Sequence, residues 1–395
     1  MLSAGAAITG MGCVTAYGVG VPELWRGLLT NEPATRTLRK RRDGSSGFSA
    51  ESPTAEVLSL SAPTSGNTRP TRPAMLARIA AEEAWTSSGI AASVAPERAG
   101  LIVNRNFGQH QVIGQYYEKL WTKGPSAVSG LQFVQTIANS VLGSLAMEFH
   151  LRGPSTMHFG ASSLGAALDL LRDEAADAIL VGGFDELSDY IFEMCHCCSL
   201  ASGEDAARPY DGASSGLTPG DGSAFFVLES PEHAKARGAK PLAYLKGYAT
   251  VTDRRAVRNP VERDAGDIAE AIRRGLRDAG LSPEDVSFVS GAANGYAALD
   301  QPEMEAIASA LASRPHIFSV KGGVGETWGA SGGISIITAV RALGEKTMPP
   351  TAGASASIGS NIVTGKAAPL RRGAAVVLSM EMSGQDSAYI LSDEL

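Results

Sequence analysis

The same order of sequence features occurs twice, once in each half of the chain. In both halves a glycine ends a helical pattern, a Pro-Glu turn follows, and a short apolar run comes next. Further on, each half has a Gly-Ala-Ser segment that opens another helical pattern. This order predicts two similar units in tandem, which we place at residues 1–240 and 241–395. The matching segments are Ala95-Pro-Glu-Arg98 with Ser282-Pro-Glu-Asp285, and Phe159-Gly-Ala-Ser-Ser163 with Trp328-Gly-Ala-Ser-Gly332.

The two units alternate buried strands with amphipathic helices. Short apolar runs bounded by glycine or proline are typical of buried strands. Between them, apolar residues at helical spacing mark helix faces, as at Leu164–Leu171 and Ile268–Ala279. Strands that alternate with helices predict an α/β fold made of parallel βαβ units with helices on both faces. The predicted strands are Ala6–Thr9, Gly100–Val103, Ala178–Gly182, Ala224–Leu228, Ser287–Val289, Ala375–Leu378 and Tyr389–Leu391.

The composition fits a globular α/β protein and argues against several function classes. Glycine is frequent, at 45 of 395 residues, which favours tight turns and close packing of helices on sheets. The net charge of −7 argues against a nucleic-acid partner. The N-terminus lacks the basic region of a signal peptide, and no apolar run reaches the length of about 18 residues that predicts a membrane span. We therefore expect a cytoplasmic chain with no nucleic-acid or membrane partner.

The cysteines do not predict a disulfide framework or a metal site. There are four in the chain, and three of them lie in Cys195-His196-Cys197-Cys198. Adjacent residues cannot easily converge on one tetrahedral ion, and the sequence has no second Cys/His cluster to complete a site. We expect no metal and no cofactor, and a packing role for this segment in a buried loop or helix.

Residues 36–72 interrupt the alternating pattern. They are rich in Ser, Thr, Pro and Arg and have no sustained periodicity, which predicts a long surface excursion. The stretch contains a basic run of four residues that could dock an acidic partner, although a solvated loop is the simpler interpretation. The run consists of Arg39, Lys40, Arg41 and Arg42.

Several segments, in order, resemble the β-ketoacyl synthase family. They include the opening Ile8–Gly18, then Leu24-Trp-Arg-Gly-Leu28, Arg208-Pro-Tyr-Asp211 and Pro219-Gly-Asp-Gly222. Near the C-terminal end, Lys321–Gly333 is similar to the family's lysine–glycine–histidine segment. The resemblance covers nearly the whole chain. It implies the thiolase fold, in which duplicated βαβ halves form stacked α/β/α/β/α layers, in a protein that is usually dimeric.

Synthases of this family use a cysteine and two histidines, and the resemblance implies that all three are replaced in this chain. Aligned without gaps, Ser162 takes the position of the cysteine at the start of a helix. Glu326 takes the place of one histidine, and Ala292 or Asn294 that of the other, depending on a small gap. A carboxylate donates no hydrogen bond to a developing oxyanion unless it is protonated. Pairing with Lys321 is therefore the simpler role for Glu326.

Ser162 leaves one enzymatic alternative open. A serine that a base activates can act as a nucleophile, so the alternative function is an acyltransferase or thioesterase-like enzyme using Ser162. His158 is the nearby base candidate, but it falls in the predicted strand before the helix, not where the family's histidines act. The simpler role for Ser162 is to cap the N-terminus of the helix.

The segments around the replaced residues still resemble the family, although residues that the family uses for its mechanism are absent. Asp300 and Glu303 match the acidic residues that follow the first histidine motif. Ser379–Asp386 stands where synthases carry a Phe-Gly-Phe-Gly-Gly gating loop, and it contains neither phenylalanine. These losses concern one mechanism, while the core patterns are intact. They favour a partner subunit over a catalyst.

One branch of the family fits this pattern, namely the chain length factor, or ketosynthase β-subunit, of bacterial type II polyketide synthases. The resemblance implies a heterodimer with a catalytic ketosynthase α-subunit, in which this chain shapes the tunnel where a polyketide grows on acyl carrier protein. Gly114–Gly124 resembles the segment of those factors near the interface and tunnel. We expect tunnel or interface residues at His110, Ile113, Tyr117 and Trp121. Ordinary core packing is the other interpretation of the Tyr117 and Trp121 pair.

The product class and the docking site follow from weaker signals. Factors for aromatic polyketides commonly have glutamine at the cysteine position, and no glutamine lies near Ser162. This difference suggests another product class, such as reduced polyene chains. The basic run Arg39–Arg42 is the candidate docking site for the carrier protein.

Overall fold

A computed structural model describes residues 5–34, 37–40, 51–58, 60, 70–160, 163–203, 205–214, 216–355 and 361–395. The strands are β1 (Ala6–Thr15), β2 (Gly18–Val19), β3 (Thr37–Lys40), β4 (Glu51–Thr54), β5 (Ala99–Arg105), β6 (Ser155–Phe159), β7 (Ala178–Asp185), β8 (Gly222–Glu229), β9 (Ala243–Thr252), β10 (Val286–Gly291), β11 (His316–Ser319), β12 (Thr347–Met348), β13 (Ala368–Pro369), β14 (Ala374–Met380) and β15 (Gln385–Ser392). The α-helices are α1 (Val21–Leu29), α2 (Arg72–Ser88), α3 (His110–Lys123), α4 (Gly130–Thr136), α5 (Ser140–Glu148), α6 (Ser163–Arg172), α7 (Asp189–Cys197), α8 (Pro231–Ala236), α9 (Arg254–Arg258), α10 (Ala265–Asp278), α11 (Ala297–Ala310), α12 (Lys321–Val324) and α13 (Ser331–Glu345).

The main sheet consists of two five-stranded halves with the same topology. In the first half the strand order is β6-β5-β7-β8-β1, and in the second it is β11-β10-β14-β15-β9. In each half the first three strands of that order run parallel to one another and the other two pair antiparallel. The halves join where Ala6–Ile8 of β1 pairs with residues 243–245 of β9. The predicted duplication is therefore confirmed, but the sheet is mixed and not all parallel.

Helices and strands stack in five layers around the three largest hydrophobic clusters of the described residues. Helices α2 and α5 cover the outer face of the first half, and α10 and α11 cover that of the second. Between the halves lie α6 and α13, each of which contacts strands from both. Gly165 allows α6 to lie against β9, because a Cβ at that position would be 2.1 Å from the Tyr248 ring. The arrangement is the α/β/α/β/α order that the sequence predicts.

The predicted strands all occur in the structure, and two further strands of the main sheet were missed, the central β9 and the edge strand β11. Strand β9 alternates buried and half-buried residues over Ala243–Thr252, so it lacks the continuous apolar run that marks the others. Strand β11 is only four residues long. Both are placed by the pairing of the second half and not by a strong local pattern. The boundary that we place at residue 240 lies in the connection between α8 and β9.

Two local expectations need correction. The predicted surface excursion contains the β3–β4 hairpin, and Val57 just after it is buried, its backbone N–H donating to Asp221 at 2.7 Å. In the cysteine cluster, Cys195 packs in α7 as expected, whereas Cys197 and Cys198 are exposed because they lie at the end of that helix. Among the described residues, no group of three metal-ligating side chains occurs and no helix is long and apolar enough to cross a membrane.

The middle core should dominate the stability of the fold. Leu168 of α6 is fully buried between the two halves. We expect Leu168→Ala to lower the free energy of unfolding by about 2–5 kcal/mol, because it leaves a cavity in a close-packed layer. Urea denaturation of this variant and of the control Val257→Ala, whose side chain is mostly exposed, measures the difference. Equal, small effects of both changes would contradict the layered packing.

Candidate functional site

The Glu326 carboxylate lies in a buried ion pair. Lys321 opens the short helix α12, and Glu326 follows just after that helix ends. The Lys321 ammonium donates to Glu326 Oε2 at 2.7 Å, and both side chains are almost completely buried. Asn294 Nδ2 donates to the same oxygen at 2.9 Å. The pairing predicted from the sequence is confirmed.

The other Glu326 oxygen is occupied as well. Oε1 accepts a hydrogen bond from the Ser331 hydroxyl at 2.6 Å and one from the Trp328 backbone N–H at 3.1 Å. Burial acts to raise the pKa of Glu326, but the Lys321 charge and the hydrogen bonds to the carboxylate outweigh it and hold that pKa below its ordinary value. Glu326 is therefore ionised at neutral pH and accepts at both oxygens. It cannot donate a hydrogen bond to a developing oxyanion.

Two more buried carboxylates hold the segment that carries Asn294. Glu303 accepts from the Ala292 backbone N–H at 2.6 Å, and Asp300 accepts from the Asn294 backbone N–H at 2.9 Å. Burial raises the pKa of Asp300 to about 6 and that of Glu303 to about 7 against these hydrogen bonds. Of the two positions left open by the alignment, Asn294 hydrogen-bonds to Glu326, whereas Ala292 packs in the outer core of the second half.

Glu381, which follows β14, is a buried carboxylate that the sequence reasoning missed. It accepts from Asn106 Nδ2 at 2.6 Å and from the Ser379 hydroxyl at 3.1 Å. Burial raises its pKa to about 7, and the hydrogen bond from Asn106 offsets only part of that effect. The one sequence signal was its place between two methionines in the altered gating segment. Near neutral pH this group is partly protonated.

Asp185, at the end of β7, ties two loops of the site together. It accepts from the backbone N–H groups of Asn106 at 2.8 Å and Phe107 at 2.9 Å, just before α3. It also accepts from the Gly329 backbone N–H at 2.8 Å, just before α13. Gly183 allows this approach, because a Cβ there would lie 2.0 Å from the Gly329 carbonyl oxygen. The turn before α13 and the loop into α3 are thus held by one carboxylate.

A small cavity lies beside these groups, and we call it the Glu326 cavity. Its polar lining includes Asn106, Arg263, Asn294, Glu326 and Glu381, and its volume is about 40 Å³. That is room for one or a few water molecules. It is far below the roughly 300 Å³ of the smallest ordinary ligand pockets. The apolar walls include Leu200, Leu217, Leu299 and Trp328.

Ser162 and the preceding residue lie outside the described residues, so its position as the cysteine equivalent stays a prediction. The next residue, Ser163, begins α6 and is buried. His158, the candidate base, lies half-buried in β6, and burial lowers its pKa. The imidazole is therefore neutral at pH 7.

The four tunnel or interface candidates all lie on α3, a helix without a buried residue. Trp121 is 79% exposed and Tyr117 42% exposed, and their rings lie 5.3 Å apart. The core interpretation of this pair is therefore wrong. His110 is anchored at the start of the helix, where its Nδ1 lies 2.7 Å from the Phe107 carbonyl oxygen. A contact of these residues or of Ile113 with a tunnel stays a prediction.

The docking candidates lie at the edge of what the structure describes. Arg39 and Lys40 end β3, and their backbone is described without their side chains. Arg41 and Arg42 lie outside the described residues. Contact of this run with a carrier protein therefore also stays a prediction.

Known proteins with similar sequences and structures include synthases. Residues 5–234 match the β-ketoacyl synthase N-terminal domain and residues 242–355 its C-terminal domain. The 3-oxoacyl-[acyl-carrier-protein] synthase 2 of Coxiella burnetii is 27% identical, with 87% of each chain covered. The tetracenomycin polyketide synthase ketoacyl synthase alpha subunit of Streptomyces glaucescens is 28% identical, covering 87% of this chain and 86% of that one. The ishigamide ketosynthase/chain length factor structure shares the fold, with a TM-score of 0.89 at 24% identity over 100% of both chains.

The effects of Lys321 and Glu326 on the free energy of unfolding should be strongly coupled. Glu326→Leu leaves the Lys321 ammonium buried without its carboxylate, so we expect a loss of about 3–5 kcal/mol in the free energy of unfolding. Lys321→Met should cost a similar amount. The double variant should cost less than the two single changes together by about 2 kcal/mol, because no uncompensated charge remains. Urea denaturation of the four proteins measures this coupling, and strict additivity would contradict it.

Glu381 should make stability depend on pH. In the folded chain it stays protonated up to about pH 7, whereas the unfolded chain ionises it from its ordinary pKa of 4.5. Its contribution to the free energy of unfolding is therefore complete below pH 4.5 and is lost as the pH rises to about 7. We expect Glu381→Gln to flatten the fall in stability over that range in urea titrations. The control Glu284→Gln, at an exposed turn, should keep the wild-type slope. An unchanged slope in Glu381→Gln would contradict the assignment.

Proposed function

Because this chain belongs to the β-ketoacyl synthase family, we propose that it is a non-catalytic chain length factor. In this proposal it forms a heterodimer with a catalytic ketosynthase α-subunit. Together they enclose the tunnel in which a polyketide, or a reduced polyene chain, grows on acyl carrier protein. The observation that carries the proposal is the buried Lys321–Glu326 pair, whose carboxylate the family resemblance aligns with a catalytic histidine.

The chemistry of the site supports a subunit that does not condense thioesters. Condensation needs preorganised donors where negative charge develops. Here Glu326 is an ionised acceptor, and Asn294 already donates to it. Glu381 supplies a second carboxyl group to the same small cavity. The ionised Glu326 would repel an anionic intermediate beside it and would not stabilise it.

The surface of the first half supports a large protein partner. Strand β6 is an edge strand, because within the described residues it pairs with β5 alone. Helices α3, α4 and α5 follow one another in contact and leave large apolar side chains exposed. A cluster of this kind marks a protein interface. On and just after these helices the exposed side chains are Tyr117, Trp121, Leu131, Phe133, Val134, Ile137 and Met147, and Phe159 is exposed at the end of β6.

This surface also gives the tunnel candidates a physical role. Tyr117 and Trp121 are exposed in the isolated chain and belong to the apolar surface of α3–α5. Docking of the ketosynthase there would bury them, together with His110 and Ile113, along the shared boundary. Their bulk would then limit the length of the chain in the tunnel. We keep the basic run Arg39–Arg42 as the proposed contact for the acidic carrier protein.

Co-expression with the ketosynthase encoded beside this chain tests the proposal. Only this chain carries a tag, and native mass spectrometry weighs what elutes. We expect a one-to-one complex of about twice 40.9 kDa that contains both proteins. A stable homodimer that leaves the synthase behind would overturn the proposal.

The same experiment locates the interface. Phe159→Glu and Trp121→Glu place a charge on the apolar surface and should reduce the recovered synthase at least about tenfold, since a buried unpaired charge is strongly unfavourable. Val257→Glu introduces the same charge on α9, where the side chain is also exposed. This matched control should recover the synthase like the wild type. Equal recovery with all three variants would place the interface elsewhere.

A further inference from the structure

Trp328 has a backbone conformation that bulky residues rarely adopt. Its φ is +53°, in the left-handed region, which is strained for a residue other than glycine. The conformation persists because the chain is held on both sides. The Trp328 N–H donates to Glu326 at 3.1 Å, and the Gly329 N–H donates to Asp185 at 2.8 Å. Strain of this kind clusters at positions with a functional constraint.

The indole adds a second unfavourable feature. The Trp328 side chain is 4% exposed, and its Nε1–H has no hydrogen-bond partner among the described residues. A buried N–H without a partner destabilises the fold, because it has lost its hydrogen bond to water. The ring is held by apolar contacts, with the Phe107 ring edge-on at 5.0 Å and Leu200 and Leu217 in the same cluster. The strained backbone and the unpaired donor therefore belong to the same residue.

The position of the indole gives these two features a common reason. Trp328 lines the Glu326 cavity together with Asn294 and Glu326, the two residues that the proposed function places in the slots of the family's histidines. With the ring in place the cavity measures about 40 Å³. A pantetheine thioester needs a pocket of at least about 300 Å³. The indole thus fills space beside the residues that substrate would have to reach.

We propose that Trp328 is a plug that closes the Glu326 cavity, which would be this chain's own substrate chamber, to acyl thioesters. The inference rests on the proposed function and adds the residue that decides which chamber the substrate can enter. With the chamber closed, a carrier-bound chain can load only on the partner. The growing product is then confined to the partner's chamber and the shared tunnel. The strain and the unpaired N–H are the energetic cost of holding the ring there.

Photolabelling of the complex with separate readout of each subunit tests the plug. The probe is a pantetheine thioether whose octyl chain carries a diazirine, so that it cannot be hydrolysed. After irradiation, intact mass spectrometry counts adducts on each chain. We expect background labelling of this chain in the wild type and about tenfold more in Trp328→Gly, because glycine opens the chamber and accepts the left-handed backbone. Trp328→Phe retains a ring without the N–H and should stay at background.

The outcomes separate the plug from a merely structural tryptophan. Strong labelling of the wild-type chain, or no gain in a folded Trp328→Gly complex, would overturn the proposal. If Trp328→Gly unfolds, Trp328→Asn takes its place, because asparagine also tolerates the left-handed region. If no synthase co-purifies, the proposed function fails, and the same labelling of the chain alone still decides whether Trp328 closes the chamber.

Discussion

The buried ion pair between Lys321 and Glu326 is the interaction on which the rest of the site depends. It holds a carboxylate inside the protein, at the position that the family resemblance aligns with a histidine, and the Lys321 ammonium neutralises that carboxylate. Hydrogen bonds from Asn294, Ser331 and the Trp328 backbone use the remaining acceptor capacity of Glu326. A group satisfied in this way has little reason to exchange protons or to bind an anion. The pair therefore fixes the loop and, in the proposed function, takes the place of a catalytic group.

The carboxylates around this pair accept hydrogen bonds from backbone N–H groups and not from substrate, so they hold the surrounding loops in place. Asp300 and Glu303 hold the segment of Asn294, and Asp185 holds the turn at Gly329 and the loop into α3. These contacts connect the site to the helix that presents the exposed aromatic surface. A partner that docks on α3 therefore meets a rigid support. A scaffold of this kind suits a subunit that shapes a tunnel which another chain uses for catalysis.

The sequence predicts the fold well and the site in part, for physical reasons. Buried strands such as β7 and β14 are visible in the sequence as apolar runs, and the repeated order of features predicts two equivalent halves. Lys321 and Glu326 are close in the chain, so their pairing is a local inference. Glu381 is different, because its partner Asn106 lies 275 residues away and only the packed halves bring them together. The exposure of Trp121 could not be predicted from the sequence either, because aromatic residues have the same helical spacing in a core and at an interface.

The central claim is that the partner alone carries the acyl chain. Intact mass spectrometry of the purified complex after incubation with an acyl carrier thioester tests it most directly, with Ser162→Ala as the comparison. We predict an acyl adduct on the ketosynthase subunit and none on this chain, with no change in Ser162→Ala. An adduct on this chain that disappears in Ser162→Ala would contradict the account and establish this chain as an acyltransferase.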